Sequence, residues 1–267
     1  MAVSVKPAGR ASWVTSFRVL TWRAVATTWR VPSAWIPGTA IALFFLFVYN
    51  GSLSKLVDIP GFGTDNYLGF ILPVAIVSAA VGGAGSSGQS IVRDLENGYF
   101  DKLLLTPASR AAIVLGPMLA GALQLALQVV LLIIVGKLLG LHSATGPGGY
   151  AVVLILALFW GLAFAGYSVG VALRSGNGQA AQAATFVFFP LIFLSTTFVP
   201  KDLLGAGWIK FAATINPTTY VFEGMRSVLL DGWQTIPLVQ GFGAVVIFAT
   251  LTWVFAARSA IAATRRG

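Results

Sequence analysis

The glycine-rich stretch that begins at Gly83 has the spacing of a nucleotide-binding loop. Gly83, Gly85 and Gly88 fit the pattern GxGxxG, and residues 83–90 fit the P-loop pattern except that Gln89 stands where a lysine is required. Without that lysine the loop lacks the cation that contacts the β and γ phosphates, and both motifs need a preceding strand, whereas an apolar helical segment precedes Gly83. We therefore expect no ATP site on this chain. The small residues are expected to let membrane helices approach closely.

Other side chains that support catalysis are scarce. The chain has no cysteine, which excludes disulfides, thiolate catalysis and cysteine-ligated metals. Its one histidine, His142, lies in a short loop with glycine and proline and is expected to be solvated. The apolar segments hold no carboxylate pair for acid–base chemistry and no ionisable residue for a coupling ion. We expect no catalytic, cofactor or metal site, which disfavours an enzyme and an ion-driven transporter.

The composition is that of a membrane protein, since 57% of the residues are apolar and only 9% are charged. Segments of about 20 mostly apolar residues are long enough to cross a bilayer as helices. The sequence therefore predicts an all-α integral membrane fold with six transmembrane helices. The predicted spans are 34–50, 67–91, 111–136, 150–173, 180–199 and 237–257.

The charge distribution predicts the orientation of these spans. Six spans place both termini on one side, and a cytoplasmic location for both puts the excess of Lys and Arg inside. The net charge of +9 then lies along the membrane edge, so it does not indicate a nucleic-acid partner. We expect a basic tail at 258–267 after the transmembrane domain at 34–257, and residues 1–33 to form an interfacial helix that contacts membrane lipids. Its predicted apolar face consists of Trp13, Phe17, Leu20 and Ala24, with a second strip at Trp22, Ala26 and Trp29.

Polar and aromatic residues inside the spans are candidates for a substrate path. Gln124 and Gln128 lie one turn apart in the third span, and they either line the path or form hydrogen bonds between helices. The fifth span carries a second group, which either lines the path or packs in the bundle. This group consists of Gln182, Thr185, Phe186, Phe189 and Phe193.

A short charged helix is predicted between the second and third spans, at about 93–110. Asn97 and Gly98 begin it, apolar residues recur in it at helical spacing, and Pro107 ends it. A charged segment in such an apolar protein must lie outside the lipid. A short amphipathic helix between two spans is suited to bind another protein.

The external segment before the last span predicts two short apolar helices between 203 and 232 that dip back toward the membrane. The first covers 203–215 and the second covers 218–230, with Asn216 as N-cap, Pro217 as its first helical residue and a stop at Gly232. Glu223 and Arg226 lie three residues apart on the second helix. A local ion pair is favoured over direct contact with substrate.

The short charged helix and the external segment both resemble a known family. The six spans, the basic N-terminal helix and the run NPTTYVFEGMRSVLLDG from Asn216 resemble the ABC-2 type permeases, and within them the daunorubicin-resistance branch. The matching positions after the second span are Glu96, Gly98, Phe100, Asp101, Leu103, Leu104, Pro107, Ser109 and Arg110.

The resemblance implies the membrane subunit of an ATP-driven exporter of a drug or lipid in a bacterial inner membrane. A separate ATPase subunit would bind ATP and Mg²⁺, and a second permease half, identical or related, would complete the path. The helix after the second span would dock on the ATPase, and Gly98 and Pro107 would lie at its ends. The charged contacts would come from Arg93, Glu96, Asp101 and Lys102. The buried contacts would come from Phe100, Leu103 and Leu104. The external helices would close the path outside, through Asn216, Pro217, Tyr220, Glu223 and Arg226.

Two alternatives stay open. The first is that the chain is a permease of the same superfamily that exports a polysaccharide or a lipid-linked glycan. Such a function predicts a wider channel lined by Trp and Tyr. A membrane protein without an ATPase partner is the second alternative.

Overall fold

The computed structural model describes residues 13–32, 35–106 and 110–263, and all regular secondary structure in these ranges is helical. The described part of the chain holds eleven α-helices. They are α1 Trp13–Trp29, α2 Ile36–Leu53, α3 Tyr67–Glu96, α4 Tyr99–Leu104, α5 Arg110–Leu138, α6 Pro147–Ser175, α7 Gly178–Thr185, α8 Phe189–Phe193, α9 Gly207–Ile215, α10 Pro217–Arg226 and α11 Thr235–Ala263. A short 3₁₀ or π segment follows α2, α7, α8 and α10.

Helix α3 forms the centre of the bundle, and almost all of its apolar stretch is buried. It packs against α2, α5, α6 and α7. Small residues make this possible: a Cβ at Gly88 would collide with Ser168 of α6, and a Cβ at Gly121 of α5 would collide with Ser87. The glycine stretch therefore serves helix packing, as predicted.

Among the described residues, five helices are long and apolar enough to cross a membrane, which makes the chain a multi-pass membrane protein. They cover Ile36–Asp58, Tyr67–Glu96, Ala111–Leu138, Pro147–Ser175 and Thr235–Ala262. Five of the six predicted spans thus appear as continuous helices. Helices α2 and α11 are largely exposed along their length, so their outer faces meet lipid or another chain.

The predicted fifth span is not one helix over 180–199. Pro190 has no N–H to donate to the carbonyl one turn earlier, and the chain tightens into a 3₁₀ turn at Phe186–Phe188 between α7 and α8. The helical part ends at Phe193, after which Ser195 and Thr197 donate hydrogen bonds to the Ile192 carbonyl. The helical stretch Gly178–Phe193 is about 24 Å long at 1.5 Å per residue, less than the roughly 30 Å of a hydrocarbon core.

Helix α1 packs on α5 through one of its two predicted apolar strips. Leu20 and Ala24 are buried against protein, whereas Trp22 and Trp29 on the other strip are exposed. The strip with Leu20 and Ala24, which was expected to contact lipid, therefore packs on the helix bundle. The strip with Trp22 and Trp29 is the one that is exposed.

The two external helices are present with altered bounds. The first begins at Gly207 rather than at 203, because Lys201–Leu203 forms a separate 3₁₀ turn. The second begins at Pro217 and continues past Arg226 as a π turn, Ser227–Asp231, that ends at Gly232 with a φ of 95°. The Val228 carbonyl in this turn accepts hydrogen bonds from Ser143 and Thr145, which fastens the loop between α5 and α6 to the external helices.

Candidate transport path and cytoplasmic surface

A cavity of about 250 Å³ lies between α2, α3 and the irregular fifth segment. It brings together three predicted path residues, Gln182, Phe186 and Phe189, with serine and glutamine side chains of α3. The described residues that line it are Pro37, Gly38, Ile41, Phe45, Ser78, Val81, Ser86, Gln89, Gln182, Phe186 and Phe189. A neutral, partly polar lining with aromatic rings suits an amphiphile.

The position of Gln182 depends on a glycine of α3. A Cβ at Gly85 would collide with the Gln182 amide, so only glycine allows this approach. Gln89 Nε2 then donates to Gln182 Oε1 at 3.4 Å. Thr185 is fully buried and donates to the Gln182 carbonyl, so it shapes the helix and does not line the cavity. Phe193 lies outside this cavity with 42% of its surface exposed.

Gln124 and Gln128 are buried and do not line this cavity. Gln128 Nε2 donates to Thr39 Oγ1 at 2.7 Å and to the Trp35 carbonyl at 3.2 Å, which links α5 to the start of α2. Ser86 Oγ lies 3.2 Å from Gln124 Oε1, which links α5 to α3. These contacts favour hydrogen bonding between helices over a direct place in the path.

The short charged helix follows the C-terminal end of α3 and covers Tyr99–Leu104, less than the predicted 97–107. Gly98 begins it with a φ of 61°, a left-handed conformation that glycine adopts without strain. Its predicted terminator Pro107 lies outside the described residues, as do the side chains of Asp101 and Leu104.

The apolar side of this helix faces its own chain, which corrects the predicted docking contacts. Phe100 and Leu103 are buried in a cluster with Leu20 of α1 and Ile113 of α5. They anchor the helix, and only 5% and 7% of their surfaces are exposed. The exposed residues here include Glu96, Lys102, Thr106 and Leu105, the last with 88% of its surface accessible.

An ion pair that the sequence did not predict ties α1 to this region. Arg23 donates two hydrogen bonds to the Asp94 carboxylate, at 2.6 and 3.0 Å, and its guanidinium lies 3.9 Å from the centre of the Tyr99 ring. The hydrogen bond to Asp94 raises the pKa of Arg23. Arg23 and Asp94 are 71 residues apart, so no local sequence pattern predicts this pair.

A buried arginine, Arg226, organises the contacts around α10. Arg226 forms the predicted ion pair with Glu223 at 3.2 Å, but it is 2% exposed and therefore no surface partner. Its other hydrogen bonds go to the Phe70 carbonyl, the Thr196 hydroxyl and the Thr197 carbonyl. Burial lowers the pKa of Arg226 to about 10, which leaves it charged at neutral pH. The guanidinium thus joins α10, α3 and the turn after α8.

Asn216 also joins α10 to the end of the fifth segment. Its Oδ1 accepts from the Thr218 N–H, which confirms the predicted N-cap, and its Nδ2 donates to the Leu191 and Leu194 carbonyls. Tyr220 donates from its hydroxyl to the Thr214 carbonyl and ties α10 to α9. The freed carbonyls at the end of the fifth segment are therefore satisfied by an external helix.

The cavity, the charged helix and the external helices all lie within one family match, which runs over residues 15–230 and is described as ABC-2 type transporter. The chain belongs to the ABC-2 type transporter family. This family provides transport permease subunits and not catalytic enzymes.

Named relatives of this ABC-2 permease include proteins associated with drug resistance. The chain is 24% identical over 261 residues to the daunorubicin resistance ABC transporter permease protein DrrB1 of Streptomyces coeruleorubidus, covering 94% of this chain and 89% of the relative. It is 25% identical over 211 residues to the probable doxorubicin resistance ABC transporter permease protein DrrC of Mycobacterium tuberculosis, covering 76% and 73%. A putative transport permease, ycf38 of Cyanophora paradoxa, is 28% identical over 202 residues, covering 74% and 68%.

Proposed function

We propose that this ABC-2 permease is the membrane half of an exporter that moves a hydrophobic or amphiphilic compound, a drug or a lipid, out of the cytoplasm or inner leaflet. The observation that supports it most is the cavity between α3 and the irregular fifth segment, where Gln182, Phe186 and Phe189 meet. Relatives named for daunorubicin and doxorubicin resistance support the same class of substrate.

In this proposal the fifth segment is itself a membrane crossing, and together with the five long helices it makes six. The helical part Gly178–Phe193 covers most of the hydrocarbon thickness, and the turn at 194–199 covers the rest. Irregular backbone is tolerated at membrane depth when protein satisfies its polar groups, and here Asn216 and Arg226 bind several of its carbonyls. Six crossings place both termini in the cytoplasm, in a bacterial inner membrane.

A separate ATPase binds at the cytoplasmic end of α3. Glu96 and Lys102 offer charge of both signs there, and the exposed Leu105 offers an apolar contact. The Arg23–Asp94 pair and the buried Phe100 and Leu103 hold the helix against α1 and α5. Movement of the ATPase would therefore be transmitted to several helices at once. ATP and Mg²⁺ bind to the partner.

A second permease half, identical or related, faces the fifth segment. Phe186 and Phe193 are 57% and 42% exposed, and Phe186 lines the same cavity as Ile41 of α2, a helix that also exposes Phe44. Such a continuous apolar surface with polar residues at Gln182 is suited to form one wall of a path between two copies.

The external helices close this path. Arg226 and Asn216 attach α10 to the end of the fifth segment, and α10 also packs closely on α11 at Gly224 and Gly241. Opening would require these contacts to move together, because Arg226 cannot leave its carbonyl partners singly without leaving buried polar groups unpaired.

The cavity favours a compact amphiphile over a glycan. The described residues lining it include neither Trp nor Tyr, the side chains on which sugars stack, and its volume of about 250 Å³ lies below the roughly 300–1,000 Å³ of typical ligand sites.

Inverted membrane vesicles from the native host, prepared with and without this chain, test the proposal. We expect ATP-dependent accumulation of some members of a panel of fluorescent amphiphiles and fluorescent phospholipids, only when the chain is present. Accumulation that is identical without the chain, or independent of ATP, would contradict export. Accumulation of a lipid-linked sugar alone would favour the glycan alternative.

A further inference from the structure

An arginine in the last turn of α6, Arg174, lies against the end of α11. Its Nε donates to Ser259 Oγ at 3.1 Å, and its Cζ lies 4.7 Å from the centre of the Phe255 ring. Ser259 is fully buried and donates in turn to the Phe255 carbonyl at 2.8 Å, so the oxygen that accepts from Arg174 is itself fixed. The guanidinium is therefore held in one orientation, although the side chain as a whole is exposed.

The positive charge of Arg174 is left unpaired by its own chain. Among the described residues it forms no ion pair with a carboxylate, and neither Nη atom has a hydrogen-bond partner. A guanidinium that is fixed through Nε still offers both Nη groups, and their planar geometry matches two oxygens of one phosphate.

Two aromatic rings continue from Arg174 along α6 into the membrane. The Tyr167 ring stacks on Phe255, with ring centres 5.8 Å apart and an angle of 26°. Tyr167 precedes Arg174 by seven residues, which is about 10 Å along a helix that is long enough to cross the bilayer. Phe255 fits between them because position 170 is a glycine, where a Cβ would collide with the ring. Both rings are partly exposed, so they form an apolar strip beside a cation at the helix end.

We propose that Tyr167, Arg174, Phe255 and Ser259 form a binding site for one anionic phospholipid, with its phosphate on the guanidinium and an acyl chain along the two rings. A zwitterionic lipid such as phosphatidylcholine carries its own cation and gains less from Arg174. A soluble acidic protein would reach Arg174 but not Tyr167, which lies deeper in a membrane-crossing helix. The site does not depend on the proposed export function.

The test uses the purified full chain in dodecyl maltoside and measures bound lipid by native mass spectrometry during titration with phosphatidylglycerol or phosphatidylcholine. We expect the first phosphatidylglycerol to bind at a lower concentration than phosphatidylcholine and to raise the midpoint of thermal unfolding. Free glycerol 3-phosphate at the same concentration should leave the midpoint unchanged, because it has no acyl chain for the ring strip.

Arg174→Gln should weaken phosphatidylglycerol binding about five- to tenfold, the range for one arginine near an anionic lipid surface. Ser259→Ala keeps the charge but removes the hydroxyl that orients the guanidinium, so it should weaken binding by a smaller factor. Arg18→Gln removes the same charge from an exposed position of α1 and is the matched control, which should bind like wild type. The midpoint shift of each variant is taken relative to its own lipid-free midpoint.

Equal phosphatidylglycerol binding by wild type and Arg174→Gln would overturn the site. An equal loss in Arg174→Gln and Arg18→Gln would overturn it as well, because it would indicate only a general attraction to positive charge. A midpoint shift of the same size with glycerol 3-phosphate would contradict the lipid assignment. If Arg174→Gln instead released a co-purifying protein and kept its phosphatidylglycerol binding, Arg174 would be a protein contact and the lipid site would be excluded.

Discussion

The absence of a side chain at Gly85 allows the Gln182 amide to lie against α3 and to face the transport cavity. The same stretch of sequence has the spacing of a phosphate-binding loop, yet Gly83, Gly85 and Gly88 all lie within a helix and face side chains of neighbouring helices. At the scale of single residues, specificity in this permease is expected to depend on amide and aromatic groups rather than on charge.

Gly85→Ala should displace the Gln182 side chain and thereby change the range of transported amphiphiles. Gln182→Ala and Phe189→Ala should change that range as well. The measurement is ATP-dependent accumulation of an amphiphile panel in inverted vesicles. Gly243→Ala, a helical glycine with no neighbouring atom within 4 Å, is the control and should keep the wild-type profile. Unchanged profiles for Gly85→Ala and Gln182→Ala would assign these residues to packing alone.

Arg226→Met should destabilise the protein by about 3 kcal/mol or more, because the Phe70 carbonyl, the Thr197 carbonyl and the Thr196 hydroxyl each lose a buried charge-assisted hydrogen bond. Thermal unfolding in detergent measures this as a lower midpoint. Glu223→Gln removes the charge of the half-exposed partner but keeps a polar acceptor, so its midpoint should fall much less. Equal midpoints for Arg226→Met and wild type would contradict the structural role of this arginine.

At the scale of elements, α1 and α4 move as one unit in this account because Arg23 binds Asp94 and covers the Tyr99 ring. Arg23→Asp should weaken this contact, cost about 1 kcal/mol of unfolding free energy since the pair is partly exposed, and reduce ATP-driven transport. The charge swap Arg23→Asp with Asp94→Arg should recover part of both. Transport that is normal in the single variant would exclude a role for the pair in transmission.

The sequence predicted the elements better than their contacts. Uninterrupted apolar length predicted five crossings, and the Asn216–Pro217 pair predicted the start of α10, because these signals are local. The fifth segment differed because Pro190 and the hydroxyls at Ser195 and Thr197 end its helix early, and their effect depends on which carbonyls they reach.

Buried partners were not predictable in the same way. Phe100 and Leu103 have the spacing of an exposed apolar face, and only the position of α1 shows that the face is covered. Arg226 was predicted only as half of a local ion pair, because its other partners are far away in sequence. Sequence periodicity gives the apolar side of a helix but does not say which molecule covers it.

At the scale of the whole molecule, one chain has an exposed aromatic strip where a second half would complete the path. Because the chain has no cysteine, single cysteines can report this contact without background. Phe193→Cys should form a disulfide between two copies in membranes, whereas Val246→Cys, on the exposed face of α11, should not. A crosslink at Val246→Cys alone would place the second copy on the other side.

The measurement that tests the central claim most directly is co-purification of an ATPase with the tagged chain from its native host in mild detergent. We predict that wild type retains an ABC ATPase and that Leu105→Asp loses it while still inserting in the membrane. Leu138→Asp, the same substitution at a residue 82% exposed at the far end of α5, should retain it. If no ATPase accompanies wild type even after crosslinking, or if both variants retain it equally, the proposed docking surface around α4 is contradicted.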